Sequence, residues 1–113
     1  MTARLVRQWS AAGLMALGLV LGLPRGEALA GPAPTVTITH FAYTPPVLRV
    51  AAGTTVTWIN HDEEPHTVTS ASGAFASAGL SRDDTFSQRF SKPGTYAYMC
   101  ALHPHMKATV IVQ

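Results

Sequence analysis

Apolar and polar residues alternate with a period of two over most of the chain after residue 34. The alternation is clearest at residues 35–39 and 55–58, and residues 108–112 form an apolar, largely β-branched run. Both patterns are typical of β-strands that bury at least one face. Weaker runs of the same kind predict four more strands, at residues 47–50, 66–69, 85–90 and 95–100.

Turn-forming residues separate these runs. Clusters of Pro, Gly, Asn and Ser recur at short intervals, at residues 45–46, 52–53, 60–65, 72–73 and 92–94. About seven short strands with frequent turns predict an all-β, Greek-key β-sandwich. The small and polar composition of residues 70–84 predicts a loop with room for a short helical turn. Alternation assigns ten residues to the interior: Val36, Ile38, Val50, Val56, Trp58, Phe86, Phe90, Tyr96, Val110 and Val112.

Residues 1–30 have the composition of a cleaved signal peptide. Arg4 and Arg7 precede an uncharged apolar run at residues 11–23, and Ala28 and Ala30 provide the small residues that a signal peptidase recognises. A run of this length is too short for the roughly 20 residues of a spanning helix, so a permanent membrane anchor is the weaker interpretation. We expect cleavage after Ala30, export to the periplasm and no stable membrane insertion.

Cleavage would leave residues 31–113, enough for one domain and no second. The five Lys and Arg residues of this part are balanced by five Asp and Glu residues. Nucleic-acid binding is therefore not expected, because no excess of basic side chains remains to neutralise phosphates. We expect the mature protein to be a monomer.

Cys100 is the only cysteine of the chain. An exported protein with one cysteine cannot form an internal disulfide, and an unprotected thiol there is prone to oxidation. A buried thiol that acts as a small hydrophobe is one explanation. A metal-bound thiolate is the other, and the neighbouring residues favour it.

Cys100, His103 and Met106 follow one another at spacings of three, between a predicted strand and the last strand. One tight loop at an end of the sandwich would carry all three. Thiolate and thioether suit Cu(I), imidazole suits Cu(II), and two imidazoles with a thiolate and a weak axial methionine describe blue-copper sites. His66, which follows Pro65 after a predicted strand, is the best candidate for the second imidazole. Zinc fits less well, because structural zinc sites seldom use a thioether.

These motifs resemble those of the cupredoxins, most closely the amicyanin-like group with a short ligand loop. The C-x-x-H-x-x-M loop of that group is matched by Cys100, His103 and Met106, and the aromatic residue before the cysteine by Tyr98. The upstream W-x-N and P-H pairs are matched by Trp58, Asn60, Pro65 and His66. The resemblance extends from Thr35 to Gln113. It implies a single type 1 copper ion near one end of the sandwich, with His103 close to the surface as the exit for the electron.

Two positions depart from the pattern of this group. Thr67 replaces an asparagine whose side chain braces the ligand loop in many relatives, although its backbone N–H can still donate to the Cys100 sulfur. His105 stands where close relatives often have an apolar or aromatic residue, and it is the alternative to His103 as a ligand. His40 and His61 are interpreted as ordinary loop histidines, and residues 62–64 as a solvated acidic loop that a partner could recognise.

The predicted site has no open coordination position, no carboxylate pair and no activated nucleophile, so we expect an electron carrier rather than an enzyme. Ala101, Leu102, Pro104 and Pro65 would surround the electron exit as a small docking patch. Such a patch suits transient redox partners: a dehydrogenase, a c-type cytochrome or a terminal oxidase. The alternatives are a copper-binding module for metal delivery or buffering, which could use His40, His61, His105 and Met99, and a metal-free structural sandwich.

Overall fold

Eight short strands account for most of the regular structure in residues 33–113, the part of the chain that the computed structural model describes. The predicted signal peptide, residues 1–30, lies outside the described residues. The strands are β1 (Thr35–Thr39), β2 (Ala42–Thr44), β3 (Val47–Val50), β4 (Thr54–Asn60), β5 (Thr69–Ser70), β6 (Thr85–Phe90), β7 (Gly94–Met99) and β8 (Lys107–Val112).

The strands form two four-stranded sheets that face each other. One sheet has the order β2-β1-β4-β6, and the other has the order β3-β8-β7-β5. The pairs β1–β4 and β3–β8 are parallel, and the remaining pairs are antiparallel. The predicted all-β sandwich is confirmed, with eight strands rather than about seven.

The additional strand is β2, which the pattern of apolar residues did not reveal. Its three residues carry one buried side chain, Tyr43, which is too short a run to show alternation. β2 pairs with β1 through a tight turn at His40 and Phe41, which have positive φ angles of 53° and 57°. A turn made by two non-glycine residues in the left-handed region has no clear sequence signal, because such residues are uncommon there.

The alternating apolar residues meet between the sheets, as predicted for a half-buried pattern. Eight of the ten predicted core residues are buried, and Trp58 at the centre is fully covered. Phe86 and Tyr96 are only partly buried and pack against the edge of the core. The Tyr96 hydroxyl donates to the Lys92 carbonyl oxygen at 2.7 Å, which keeps that ring end near solvent.

Residues 70–84 are not an open loop but a covering segment for one end of the core. Phe75 and Leu80 are buried, and the Phe75 ring lies 6.2 Å from that of Trp58. Isolated bridges join His66 to Leu80 and Thr69 to Ala76. The prediction of a segment without long strands is thus correct. The predicted short helical turn is absent from this segment.

One pole of the sandwich collects the segments that carry the candidate ligands. β7 ends and β8 begins at this pole, where Met99 pairs with Lys107, and β5 pairs with the same end of β7. The bridge between His66 and Leu80 lies just before β5 in the chain. The sheet register therefore brings the segment around His66 to the loop between β7 and β8.

Within residues 33–113 no helix is long and apolar enough to cross a membrane.

Burial of the Tyr98 phenol predicts a loss of stability at alkaline pH. Burial raises the pKa of Tyr98 from 10.0 to about 12, so the folded protein keeps the phenol proton where the unfolded chain releases it. The contribution of this phenol to the free energy of unfolding is fully present below pH 10. It falls as the pH rises towards the folded pKa, by about 1.4 kcal/mol per pKa unit. Urea unfolding at several pH values between 9 and 12 measures this decline. Tyr98→Phe should show a shallower decline, and equal slopes would contradict the assignment.

Candidate metal centre

The structure brings together one thiol and two imidazoles from distant parts of the chain. The Nδ1 atoms of His66 and His103 are 3.2 Å apart, and they lie 3.8 and 3.6 Å from the Cys100 sulfur. His66 and Cys100 are completely buried, and His103 is partly exposed. The predicted meeting of these three side chains at one end of the sandwich is therefore present in the structure.

The triangle formed by these three atoms has the dimensions of a metal site. A first-row ion bound about 2.0 Å from nitrogen and about 2.3 Å from sulfur, in a trigonal plane, needs N···N of about 3.5 Å and N···S of about 3.7 Å. The three observed separations lie close to these values. Two imidazole nitrogens and one sulfur converge on a single point, and all three are metal-ligating atoms, so the donor set fits a metal ion.

The loop after β7 is closed tightly by its own backbone. The N–H groups of His103 and Met106 donate to the carbonyl oxygens of Cys100 and His103, at 3.2 and 2.9 Å. The Cys100 N–H donates to the Met106 carbonyl oxygen at 3.1 Å and closes the loop. Met106, the predicted fourth ligand, is 3% exposed on this loop. The spacing of three residues thus corresponds to a compact loop with its sulfur-bearing residues buried.

His66 is fixed by its backbone and by its ring. Its N–H donates to the Leu80 carbonyl oxygen at 3.1 Å, and the Leu80 N–H donates to the His66 carbonyl oxygen at 2.7 Å. The ring nitrogen that faces away from Cys100, Nε2, lies 2.9 Å from an Asp62 carboxylate oxygen. The covering segment and the acidic loop therefore hold this imidazole from both sides.

Thr67 connects the segment around His66 to the ligand loop. Its backbone N–H donates to the Cys100 sulfur at 3.3 Å, as the sequence analysis expected. Its hydroxyl oxygen accepts the Ala101 N–H at 2.7 Å and lies 2.8 Å from the Thr69 hydroxyl. Its carbonyl oxygen accepts the Tyr43 hydroxyl at 2.6 Å. Thr67, where the sequence departs from the pattern of the group, thus braces the ligand loop, residues 100–106, with its own side chain.

The sequence analysis expected Asp62 to lie in a solvated acidic loop, but the structure shows its side chain largely covered. Its two carboxylate oxygens accept the backbone N–H groups of His40 and Phe41, at 2.7 and 2.9 Å, as well as facing His66. Burial raises the pKa of Asp62, but these donors outweigh it, so the pKa of this carboxyl lies below its ordinary value. Glu63 and Glu64 are exposed, as expected. The aspartate four residues before a candidate ligand histidine was the available sequence signal.

Asn60 shapes the loop that carries Asp62. Its side-chain amide donates to the carbonyl oxygens of Glu64 and Leu80, at 2.9 and 2.8 Å, and its side-chain oxygen accepts the Asp62 N–H at 2.9 Å. The side chain is fully buried, so these bonds satisfy it away from water. The asparagine of the W-x-N motif is therefore a structural residue of this loop.

Phe41 covers the two imidazoles from the side of the β1–β2 turn. Its ring packs edge to face against His66 and His103, with centroid distances of 5.0 and 5.1 Å, and it is 39% exposed. Four apolar residues next to the ligand histidines in the chain are exposed: Pro65, Ala101, Leu102 and Pro104. The docking patch predicted from the sequence did not include Phe41, because the turn that carries Phe41 was not foreseen.

The remaining histidines lie outside the triangle of donors. His105 is exposed, and its ring centroid is 6.3 Å from that of His103. His40 is exposed, and its backbone rather than its ring contacts Asp62. His61 is exposed and lies 3.6 Å from an Asp83 carboxylate oxygen. The assignment of His40 and His61 as loop residues agrees with these positions.

Comparison with known proteins assigns the chain to a family. Residues 12–112 match the family described as a cupredoxin-like domain. Amicyanin from Paracoccus denitrificans is 37% identical over 83 residues, which cover 69% of this chain and 63% of that protein, less than two thirds of its length. Amicyanin-alpha from Methylorubrum extorquens is 36% identical over 114 residues, covering 91% of this chain and 95% of that protein.

Among solved structures, an oxidized methionine-to-leucine mutant of amicyanin superposes with a TM-score of 0.70 at 34% identity. The match covers 74% of this chain and 85% of that one. The resemblance seen in the sequence motifs thus extends through the fold to most of the described residues. The chain belongs to the cupredoxin-like domain family.

Proposed function

We propose that the protein is a periplasmic carrier of single electrons that holds one type 1 copper ion. His66, Cys100, His103 and Met106 are the proposed ligands. The observation that carries the proposal is the buried triangle of two Nδ1 atoms and one sulfur, which has the size of a trigonal metal site. A copper ion bound there supplies the one-electron couple between Cu(II) and Cu(I).

The mixture of donors supports copper over other metals. Imidazole nitrogens stabilise Cu(II), whereas thiolate and thioether sulfurs stabilise Cu(I). A site that offers both kinds of donor holds either oxidation state with little rearrangement. The buried Met106 on the same loop could supply a fourth, weaker sulfur contact, by its residue type and its place in the chain. The neighbouring proteins in the comparison include amicyanins, in line with this choice.

Bracing of the ligands supports fast electron transfer. Transfer is slow when the ligands must move between oxidation states, so a protein gains rate by holding them still. Thr67 ties the ligand loop to the segment around His66 through one bond to Cys100 and one to Ala101. The paired backbone bonds between His66 and Leu80 hold the other side. All of these contacts are made between groups of the chain itself.

The exit for the electron is the exposed edge of His103. Among the three donors of the triangle, His103 alone is partly exposed. Leu102, next to it in the chain, is 55% exposed, and Phe41, whose ring packs against that of His103, is 39% exposed. A small apolar patch favours short-lived complexes, as a carrier requires after each transfer. The proposed partners are a dehydrogenase, a c-type cytochrome or a terminal oxidase.

Copper addition gives the direct test of the proposed site. The mature protein, residues 31–113, should bind one Cu(II) and develop an intense thiolate-to-copper band with narrow EPR hyperfine splitting. Cys100→Ser should abolish the band, whereas His105→Ala, which removes the neighbouring imidazole, should retain it. Absence of the band in the parent protein would overturn the proposal. Loss of copper to an acceptor apoprotein, instead of reversible cycling, would favour the delivery alternative.

Removal of the Thr67 hydroxyl should loosen the ligand loop. Thr67→Val keeps the backbone N–H that reaches the Cys100 sulfur, but it leaves the Ala101 N–H without its acceptor. An unsatisfied group of this kind costs about 1–3 kcal/mol, or a melting temperature lower by about 4–8 °C per kcal/mol in a domain of this size. Calorimetry of the copper-loaded protein measures the change. Thr69→Val, which spares the Ala101 bond, should have the smaller effect, and the reverse order would contradict the bracing role.

A negative charge on the proposed docking patch should slow electron exchange between two copies of the protein. Leu102→Glu places like charges opposite each other when two His103 faces meet, and like charges across an interface weaken association strongly. We expect self-exchange to slow by about tenfold or more, which corresponds to about 1.4 kcal/mol. NMR line broadening in mixtures of oxidised and reduced protein measures the rate. Ser91→Glu adds the same charge at the turn between β6 and β7, at the opposite pole, and an equal effect there would refute the patch.

A further inference from the structure

We propose that Asp62 is a positioning residue that fixes the His66 imidazole and the His40–Phe41 turn with one carboxylate. The inference rests on the proposed function, since it concerns how the chain prepares one ligand of the copper site. Its consequence is that one side chain sets both the orientation of a buried ligand and the apolar cover over the two imidazoles.

The first step is the contact with His66. Its Nδ1 faces the Cys100 sulfur and the His103 ring, and its Nε2 lies 2.9 Å from an Asp62 carboxylate oxygen. A carboxylate accepts hydrogen bonds, so Nε2 must carry the hydrogen, and the Nδ1 lone pair is left free towards the other donors. A carboxylate behind a ligand histidine also makes the imidazole a stronger electron donor. Asp62 therefore selects the form of the ring that can bind a metal.

The second step is the contact with the turn. His40 and Phe41 both have positive φ angles, an uncommon conformation for two successive residues with side chains. Their N–H groups point to the same carboxylate, at 2.7 and 2.9 Å. This double acceptor holds a turn that the two residues would not favour alone.

The third step links the turn to the site. The turn places the Phe41 ring edge to face with both His66 and His103. The aspartate side chain beneath it is only 11% exposed, although His40 and Phe41 are themselves exposed. A change in the carboxylate would therefore alter the position of the Phe41 ring, which packs against His103 at the exit for the electron.

The number of donors explains why a carboxylate is needed. Three N–H groups converge on Asp62: Oδ1 accepts that of His40, and Oδ2 accepts those of Phe41 and His66. An asparagine in either orientation would direct its NH2 group at one of these donors. Asp62→Asn is therefore disruptive although it preserves shape, and Asp62→Glu, which keeps both acceptors, is the conservative comparison.

The test compares Asp62→Asn with Glu63→Gln in the copper-loaded protein. Both remove one negative charge from the same loop, but Glu63 is exposed and its carboxylate pairs with Arg82 rather than with His66. In Asp62→Asn we expect Cu(II) affinity to fall by about 10–100-fold, as is usual when the partner of a ligand histidine is lost. The amide protons of His40 and Phe41 should exchange faster with solvent, and the reduction potential should rise. Glu63→Gln should leave all three unchanged, and Asp62→Glu should restore part of the affinity.

Several outcomes would overturn the inference. Equal losses of affinity in Asp62→Asn and Glu63→Gln would show a general effect of charge, and unchanged amide exchange in Asp62→Asn would remove the link to the turn. If the Asp62 variants do not fold, ¹⁵N NMR of the metal-free parent protein decides, because a hydrogen on Nδ1 of His66 there contradicts the proposal. Failure of the parent protein to bind copper would instead reject the proposed function, while slow amide exchange at His40 and Phe41 would still report on the turn.

Discussion

The hydrogen bond from the Thr67 N–H to the Cys100 sulfur is the contact on which the site depends. It joins the segment that carries His66 to the loop that carries the other donors, across 33 residues of sequence. The neighbouring bond from the Ala101 N–H to the Thr67 hydroxyl strengthens the same junction. His66 belongs to a different part of the sandwich from Cys100 and His103, and this junction helps to fix its position relative to them.

A layer of polar groups supports this junction inside an otherwise apolar pole. Asn60 holds the loop after β4, and Asp62 faces His66 and the His40–Phe41 turn from that loop. The contacts of Asn60 and the contact of Asp62 with the His66 ring satisfy polar groups that burial would otherwise leave without a partner. The polar layer thus gives the ligand side chains fixed positions, while the apolar core supplies the rigid strands behind them.

Much of the fold and the candidate site could be predicted from the sequence. The alternation of residues 35–39 and 55–58 predicted strands that the structure contains, and the spacing of Cys100, His103 and Met106 predicted one compact loop. The roles of Asp62 and Phe41 were not predicted. Asp62 lies in a run of acidic residues that reads as solvated, and Phe41 lies in a turn whose unusual backbone has no composition signal.

The sequence by itself determined the β-sandwich and the chemical types of the candidate ligands, because strand periodicity and donor identity are local properties of the chain. Only the tertiary structure decided that the Thr67 hydroxyl would brace the ligand loop and that the Asp62 carboxylate would face the His66 ring. These contacts depend on the distance and angle between segments that are remote in sequence. The packing of the two sheets fixes those distances and angles, and no short stretch of residues contains them.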